Sequence, residues 1–264
     1  MNMNPILEVN NLTMQFGGLK ALDNIHLRVA PQQTVALIGP NGAGKTTFFN
    51  CITGIYKPTH GDIFLYTDSD RKYRLNGKKP NKITEMGMAR TFQNIRLFNN
   101  MTVLENLMIG QHCRTHSGVL GAILRNQRTI LEEKNVIQTG LKLLEQVDLS
   151  HRANMRAKNL PYGEQRRLEI ARALATRPEL LLLDEPAAGM NPKETLALIS
   201  LIQKIKQTYQ ISVLIIEHDM KLVMTISNQI YVLDYGKMIA SGTPEHIKDD
   251  PKVIQAYLGE DYNA

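Results

Sequence analysis

The sequence predicts an α/β fold, in which a mostly parallel sheet is covered by helices, with an N-terminal antiparallel β subdomain and an inserted α-helical subdomain. Two features predict it. Short, wholly apolar runs at 180–183 and 213–216 have the length of strands buried on both faces, and helix-length segments alternate with them. Between 81 and 146 the apolar residues instead follow a helical period, which interrupts the alternation as an inserted subdomain would.

The first elements are strand patterns. Residues 6–16 and 25–29 alternate apolar and polar side chains, as half-buried strands do. Another strand is predicted at 62–66, after turn-forming residues at 57–61. The polar residues 67–80 have no period and predict a surface loop or a hairpin.

A glycine-rich loop lies between a strand pattern at 34–38 and a helical pattern at 46–53. It matches G-x-x-x-x-G-K-[ST] with Gly39, Pro40, Asn41, Gly42, Ala43, Gly44, Lys45, Thr46 and Thr47. In this motif the backbone N–H groups converge on phosphates at a helix N-terminus, while the lysine reaches the β- and γ-phosphates and the hydroxyl can hold Mg²⁺. A dinucleotide turn is disfavoured because Thr47 stands where its third glycine belongs. The loop therefore predicts a P-loop NTPase core.

The helical segment has two predicted apolar faces. The first consists of Val103, Leu104, Leu107 and Met108, and the second of Val136, Ile137, Leu141 and Leu144.

The alternation resumes after the insert. A helix is predicted from 192 to 209, with proline at its favoured first position, and a final hairpin joins 229–233 to 237–241. We therefore divide the chain into a core at 1–92 and 163–242, a helical subdomain at 93–162 and a helical tail at 243–264.

Two acids follow the leucine run at 180–183. Asp184 and Glu185 stand at the carboxyl end of that strand, where open α/β sheets bind ligands. Asp184 could assist Mg²⁺ through its water shell, and Glu185 could polarise an attacking water. The alternative is a solvated acidic helix cap, which the P-loop in the same chain disfavours.

Three other residues carry weaker signals when taken alone. His218 follows the strand at 213–216 and could bond the γ-phosphate, although a lone histidine is more often structural. Gln93 could reach Mg²⁺ or be a polar loop residue. Phe16 could stack on adenine or belong to the core.

Composition sets broad limits. The 264 residues are 43% hydrophobic with a net charge of +6, which allows a sizeable core and suits an anionic ligand or a membrane-associated assembly, as well as many ordinary proteins. Cys51 and Cys113 have no metal-site spacing and predict small buried residues in a reducing compartment. We find no secretion signal and no apolar run near the ~18 residues that a membrane span requires.

In their order along the chain, these motifs resemble the nucleotide-binding subunits of ABC transporters. The order is Phe16, the P-loop, Gln93, LPYGEQ at 160–165, the acidic pair and His218, and the resemblance covers nearly the whole chain. The sequence resembles most the ATPase subunits of branched-chain amino-acid importers. That likeness is carried by FGGL at 16–19, RTFQ at 90–93, RLF at 96–98, EPAAGMNP at 185–192, IEHDM at 216–220 and AYLG at 256–259.

The resemblance implies an ATPase that uses ATP and Mg²⁺. It implies catalytic roles for Glu185, His218 and Gln93, and a metal site made by Thr46, Gln93 and Asp184. Phe16 and the P-loop would bind the nucleotide, together with Gly163 and Glu164 of a second subunit in a head-to-tail dimer. That second ATPase subunit would be identical or related.

The resemblance also implies partners. The helical insert near 93–98 would contact transmembrane permease subunits, with a solute-binding protein as an indirect partner and no nucleic acid. The subunit would then lie at the cytoplasmic face of the inner membrane, bound peripherally.

Two departures from the general family affect the expected dimer contact. Pro161 and Tyr162 replace serine and glycine of the usual Leu-Ser-Gly-Gly-Gln, and Asn191 replaces an aspartate. Proline removes one N–H donor, while Gly163 and the helix that it opens could still bind an anion.

Alternatives remain open at the level of sequence. They are an ATPase of a urea or amide importer, an ATPase of a lipid or glycolipid exporter, a soluble phosphotransferase, and a nucleic-acid-associated ATPase of the same family.

Overall fold

The computed structural model describes residues 4–67, 71–114 and 127–258. The chain forms two compact units, one made of Met1–Arg90 with Glu179–Ala264 and the other of Thr91–Pro178. The second unit extends beyond the 93–162 expected from sequence, because the helix Tyr162–Ala175 packs against the other helices of that unit.

In chain order the strands are β1 Leu7–Phe16, β2 Leu19–Val29, β3 Thr34–Ile38, β4 His60–Tyr66, β5 Lys72–Arg74, β6 Met88–Arg90, β7 Leu180–Asp184, β8 Ser212–Ile216, β9 Gln229–Asp234 and β10 Lys237–Gly242. The helices are α1 Lys45–Ile52, α2 Pro80–Glu85, α3 Val103–Gly110, α4 Gln127–Gln146, α5 Tyr162–Ala175, α6 Pro192–Tyr209, α7 Met220–Ile226, α8 Pro244–Lys248 and α9 Pro251–Leu258. None of the helices in the described part of the chain is both long and apolar enough to cross a membrane.

The first unit contains the predicted parallel sheet. Its strand order is β10-β9-β3-β8-β7-β6, with β10 alone antiparallel to its neighbour. Every residue of β3, β7 and β8 is buried, as the apolar runs predicted. In the register, Leu37 of β3 and Asp184 of β7 both lie level with Ile216 of β8, so the three strands end at one edge. This edge carries the acids and the P-loop.

The antiparallel sheet of the first unit has the order β2-β1-β4-β5. Strand β2 begins at Leu19, earlier than the predicted 25, because it pairs with β1 down to the contact of Leu19 with Phe16. Register shifts along this pair break the apolar alternation that would have revealed the early start. Strand β5, which lies in the segment predicted as a loop or a hairpin, pairs antiparallel with β4.

The prediction of helical structure from 81 onward is wrong at β6. The segment forms the short helix α2 and then Met88–Arg90, which pairs in parallel with β7 at the sheet edge. Three residues are too few to show a strand period, so pairing with β7 determines this element.

The second unit is helical. Helix α3 begins with a capping box in which Thr102 and Glu105 exchange hydrogen bonds, and it buries Val103 and Leu107. The face predicted for α4 is wrong for Ile137 and Leu141, which are exposed by 36% and 37%.

The buried side of α4 passes through Gly140 instead. A side chain at Gly140 would meet Leu104 of α3 at 2.8 Å, so this glycine is the point of close approach between the two helices. Leu143, Leu144 and Val147 continue the buried side.

Candidate functional site

The P-loop leaves β3 and curls before α1 begins. Gly39 and Gly44 have φ angles of 148° and 104°, in the region that favours glycine. A side chain at Gly39 would overlap the backbone carbonyl of Leu233, and one at Gly44 would lie 2.6 Å from the carbonyl of Ala21. The glycines are therefore required by close packing against neighbouring strands as well as by backbone conformation.

Lys45 lies inside this curl. Its Nζ donates hydrogen bonds to the carbonyls of Gly39, at 2.6 Å, and Pro40, at 2.9 Å. Burial lowers the pKa of the Lys45 ammonium, and the negative charge of Glu185 opposes that shift. The chain thus holds a buried cation at the P-loop within electrostatic reach of the predicted catalytic acid.

Asp184 ends β7 as a buried carboxylate with a buried partner. The Arg90 guanidinium at the end of β6 donates to Asp184 Oδ2 at 2.6 Å, and the two side chains are only 8% and 6% exposed. Arg90 also donates to Asn50 Oδ1 at 2.9 Å and to Thr53 Oγ1 at 3.2 Å. Asn50 lies on α1, the helix that follows the P-loop, and Thr53 is the C-cap of that helix. One arginine therefore fixes the acid relative to the P-loop helix.

Glu185 directly follows the strand in an unusual conformation. Its φ of 45° lies in the left-handed region, while its N–H donates to the carbonyl of Ile216 at 2.9 Å. The Nδ1 atom of His218 lies 3.7 Å from Glu185 Oε2. The structure thus brings together Glu185 and His218, which the sequence predicted separately, beside the charge of Lys45.

Phe16 lies at the end of β1 and is 42% exposed, so the core alternative considered for it is wrong. Its ring makes an edge contact with Tyr56, with centroids 5.3 Å apart at an angle of 79°. A partly exposed ring held by a second aromatic residue could stack on a base.

The second unit contains Gln93, Gly163 and Glu164. The backbone carbonyls of Phe92 and Gln93 accept hydrogen bonds from Arg166 of α5, at 2.6 and 2.7 Å.

Arg166 is fully buried and also pairs with Glu169 at 2.8 Å. Glu169 in turn accepts the N–H of Arg96 at 3.1 Å. This Arg166–Glu169 clamp fixes the backbone of 92–96 against α5, the helix that Gly163 and Glu164 open.

The N-terminus of α5 shows the consequence of the sequence departures. Pro161 is its N-cap and makes no side-chain cap bond. The Tyr162 hydroxyl accepts a hydrogen bond from Arg166 at 3.2 Å, and Glu164 pairs with Arg152 at 3.3 Å. Tyr162 and Glu164 thus contact other side chains of the helical unit, while Pro161 and Tyr162 are both exposed.

The oxygen donors of the first unit fit Mg²⁺. Thr46 is exposed in the first turn of α1, and Arg90 links Asp184 to that same helix. Mg²⁺ in proteins commonly uses one or two side-chain oxygens together with waters and substrate phosphates. Among the described residues no cluster of three or more His, Cys, Asp or Glu could hold a metal unaided. The donor set therefore suits an ion that is bound together with a nucleotide.

Sequence reasoning assigned no role to Arg90, Arg166 or Glu217. Glu217 is fully buried at the end of β8, next to His218. Each of the three is a charged residue beside a buried strand or within a helix that packs against its neighbours. That placement could have identified each one as a candidate. Each also bonds a group that is distant in sequence: Asp184 for Arg90, Phe92 for Arg166 and Ala187 for Glu217. A linear pattern does not reveal these contacts.

Comparison with known proteins agrees with this geometry. Residues 22–188 match the family model described as ABC transporter, and residues 237–263 match the model described as branched-chain amino acid ATP-binding cassette transporter. The chain is 50% identical over 256 residues to the high-affinity branched-chain amino acid transport ATP-binding protein LivG of Escherichia coli K12, covering 97% of this chain and 98% of that one. BraF of Pseudomonas aeruginosa, which has the same descriptive name, matches with the same identity and coverage.

Solved structures are similar as well. The ADP conformation of MJ1267, an ATP-binding cassette of an ABC transporter, has a TM-score of 0.82 and 32% identity, over 98% of this chain and 100% of that chain. A nucleotide-free cassette from an ABC transporter has a TM-score of 0.82 and 34% identity, over 97% and 100% of the two chains.

Proposed function

The chain belongs to the ABC transporter family, and on that premise we propose that it is the ATP-hydrolysing subunit of an importer of branched-chain amino acids. The observation that carries the proposal is the grouping of Lys45, Asp184, Glu185 and His218 around the carboxyl ends of neighbouring strands. The relatives named for branched-chain amino acid transport support the choice of cargo.

In the proposed reaction the P-loop N–H groups and Lys45 bind the β- and γ-phosphates of ATP. Glu185 accepts a proton as the water oxygen attacks the γ-phosphorus; the bond from that phosphorus to the β–γ bridging oxygen breaks, and ADP and inorganic phosphate are released. His218, 3.7 Å from the Glu185 carboxylate, orients the γ-phosphate. The exposed ring of Phe16 stacks on adenine.

Mg²⁺ has a supporting place in this proposal. Thr46 and Asp184 of the first unit would hold it. When bound, the ion neutralises charge on the β- and γ-phosphates.

In this proposal the second half of the nucleotide site comes from a second subunit. We propose that two copies of this chain, or this chain and a related one, pair head-to-tail so that Gly163 and Glu164 of one face the P-loop of the other. The N-terminus of α5 offers backbone N–H groups and a positive dipole end to the phosphates, although Pro161 removes one donor.

We further propose that the pair docks on transmembrane permease subunits at the cytoplasmic face of the membrane. The helical unit makes the contact, and a solute-binding protein delivers the cargo to the permease.

Glu185→Gln tests the chemistry. The amide keeps the size of the side chain but cannot take the proton, so we expect kcat to fall by at least about 100-fold. ATP affinity, measured by nucleotide titration under non-hydrolysing conditions, should change little. Glu8→Gln is the matched control, because Glu8 is a bonded carboxylate of the antiparallel sheet, held by Arg28 and Tyr66. Steady-state hydrolysis at the wild-type rate in Glu185→Gln would remove Glu185 from the chemistry.

The cargo is tested in the assembled transporter. The chain, purified with the permease subunits that accompany it, is reconstituted in proteoliposomes with the solute-binding protein. We expect ATP-dependent uptake of radiolabelled leucine, isoleucine and valine. Uptake of urea or a short amide in their place, or ATP-dependent lipid movement, would overturn the choice of cargo while leaving the ATPase assignment intact.

A further inference from the structure

Glu217 is a fully buried carboxylate that no step above uses. Its Oε1 accepts the N–H of Ala187 at 2.8 Å. Its Oε2 accepts the N–H groups of His218, at 3.0 Å, and Asp219, at 3.2 Å. Three backbone donors from two separate segments therefore converge on one side chain.

The two segments are those that flank the catalytic groups. Ala187 lies two residues beyond Glu185, in the turn where the N–H of Ala188 donates to the carbonyl of Glu185 at 3.2 Å. The other segment contains His218 itself. Both oxygens of Glu217 are used, one for each segment, so the carboxylate bridges the two loops.

Burying a carboxylate is costly unless hydrogen bonds to the charged form compensate for lost solvation. A neutral amide has only one acceptor oxygen, so it could not satisfy both loops. The amide NH₂ group would also face a backbone N–H. The charge and both oxygens are therefore needed for this bridge, whereas packing alone would be met by an apolar residue of similar size.

We propose that Glu217 is a positioning residue that holds His218 and the loop after Glu185 in a single arrangement, so that movement of one loop is transmitted to the other. This inference rests on the proposed roles of Glu185 and His218. When the dimer closes around ATP, the loop after Glu185 and the loop that contains His218 then move together. Glu217 is fully buried, so it acts through the backbone groups that it binds and not as a catalytic residue.

Glu217→Gln tests the proposal. We expect kcat for ATP hydrolysis to fall by about 10- to 100-fold, because a small misplacement of catalytic groups has effects of that size. The nucleotide dissociation constant should change by less than about threefold, since the P-loop keeps its bonds. Glu8→Gln is again the control. Equal losses of kcat in Glu217→Gln and Glu8→Gln would overturn the proposal.

A double-mutant cycle with His218→Ala separates positioning from general stability. If Glu217 acts through His218, Glu217→Gln should reduce kcat much less in the His218→Ala background than in the wild type. Equal fold-changes in both backgrounds would show that Glu217 does not act through His218.

Nuclear magnetic resonance of the imidazole groups supplies a readout that does not depend on turnover. The chain has seven histidines, and His218→Ala assigns the signal of His218. We expect Glu217→Gln to shift that signal and to leave the other imidazole signals in place. An unmoved His218 signal would overturn the inference, even if the proposed cargo were correct. If Glu217→Gln shifts the His218 signal but the wild-type protein does not hydrolyse ATP, the proposed function is contradicted and the positioning of His218 by Glu217 is not.

Glu217→Asp serves if the glutamine variant does not fold. It retains the charge but is shorter by one methylene, so it cannot span both loops. We expect a folded protein with reduced kcat and a lower unfolding temperature, because a buried carboxylate that loses a hydrogen bond is less stable. Full activity in Glu217→Asp would contradict the need for a bridge.

Discussion

The ion pair between Arg90 and Asp184 leads to a quantitative prediction. Its two side chains are 8% and 6% exposed and their atoms lie 2.6 Å apart. Replacing Arg90 by methionine removes the cation from beside the buried Asp184 carboxylate. Breaking a buried pair in this way typically costs about 3–5 kcal/mol of unfolding free energy. That is a large part of the roughly 5–15 kcal/mol that stabilises a folded domain.

Arg74→Met is the matched control. Arg74 pairs with Asp62 at the same distance of 2.6 Å, but these side chains are 64% and 42% exposed. An exposed pair contributes about 0.2–1 kcal/mol. The two ion pairs have the same length and differ in burial, and Arg90 in addition donates hydrogen bonds to Asn50 and Thr53.

Urea unfolding followed by circular dichroism measures both variants. With a slope of about 3 kcal/mol per molar urea, Arg90→Met should lower the unfolding midpoint by about 1 M or more, and Arg74→Met by about 0.3 M or less.

The double variant Arg90→Met with Asp184→Asn removes both charges and should regain much of the lost stability. Similar midpoints for Arg90→Met and Arg74→Met would refute the reasoning from burial.

Three other predictions concern single side chains. Lys45→Ala removes a cation bonded to the P-loop carbonyls, and nucleotide titration should show ATP affinity lower by about 10-fold or more; an unaltered dissociation constant would contradict the P-loop assignment. Asn191 caps α6 through a capping box, so Asn191→Ala should lower the unfolding free energy by about 1 kcal/mol while Asn191→Asp retains it, as urea titration will measure. Burial raises the pKa of the Cys51 thiol to about 12, so a thiol reagent at pH 8 should not modify Cys51 in the folded protein, and labelling at the rate of the denatured chain would contradict its burial.

Sequence patterns predicted the parallel sheet because its central strands are wholly apolar. Strands β7 and β8 lie where the runs at 180–183 and 213–216 placed them. Strand β6 was missed because its three residues show no period and depend on pairing with β7. Likewise, the buried side of α4 is set by the close approach of Gly140 to α3, which periodicity cannot locate.

The candidate site divides in the same way. Lys45, Glu185 and His218 were predicted because local motifs carry them, and the structure brings them together. The roles of Arg90 and Glu217 could not be predicted, because Arg90 binds residues distant in sequence and Glu217 binds Ala187 in addition to its neighbours His218 and Asp219. Asn50 is 40 residues from Arg90, and Ala187 is 30 residues from Glu217.

The Arg166–Glu169 clamp has a consequence for how this protein can evolve. It binds the loop at 92–96 through the carbonyls of Phe92 and Gln93 and the N–H of Arg96. These are backbone groups that nearly every amino acid provides. Because Arg166 binds the backbone carbonyl at position 93, that hydrogen bond remains available when Gln93 is substituted. Arg166 and Glu169 are less free to change, because each is a buried charge that the other offsets, with Arg172 as a second positive charge acting on Glu169. Substitutions at position 93 can therefore arise while Arg166 and Glu169 still bind the backbone of this loop.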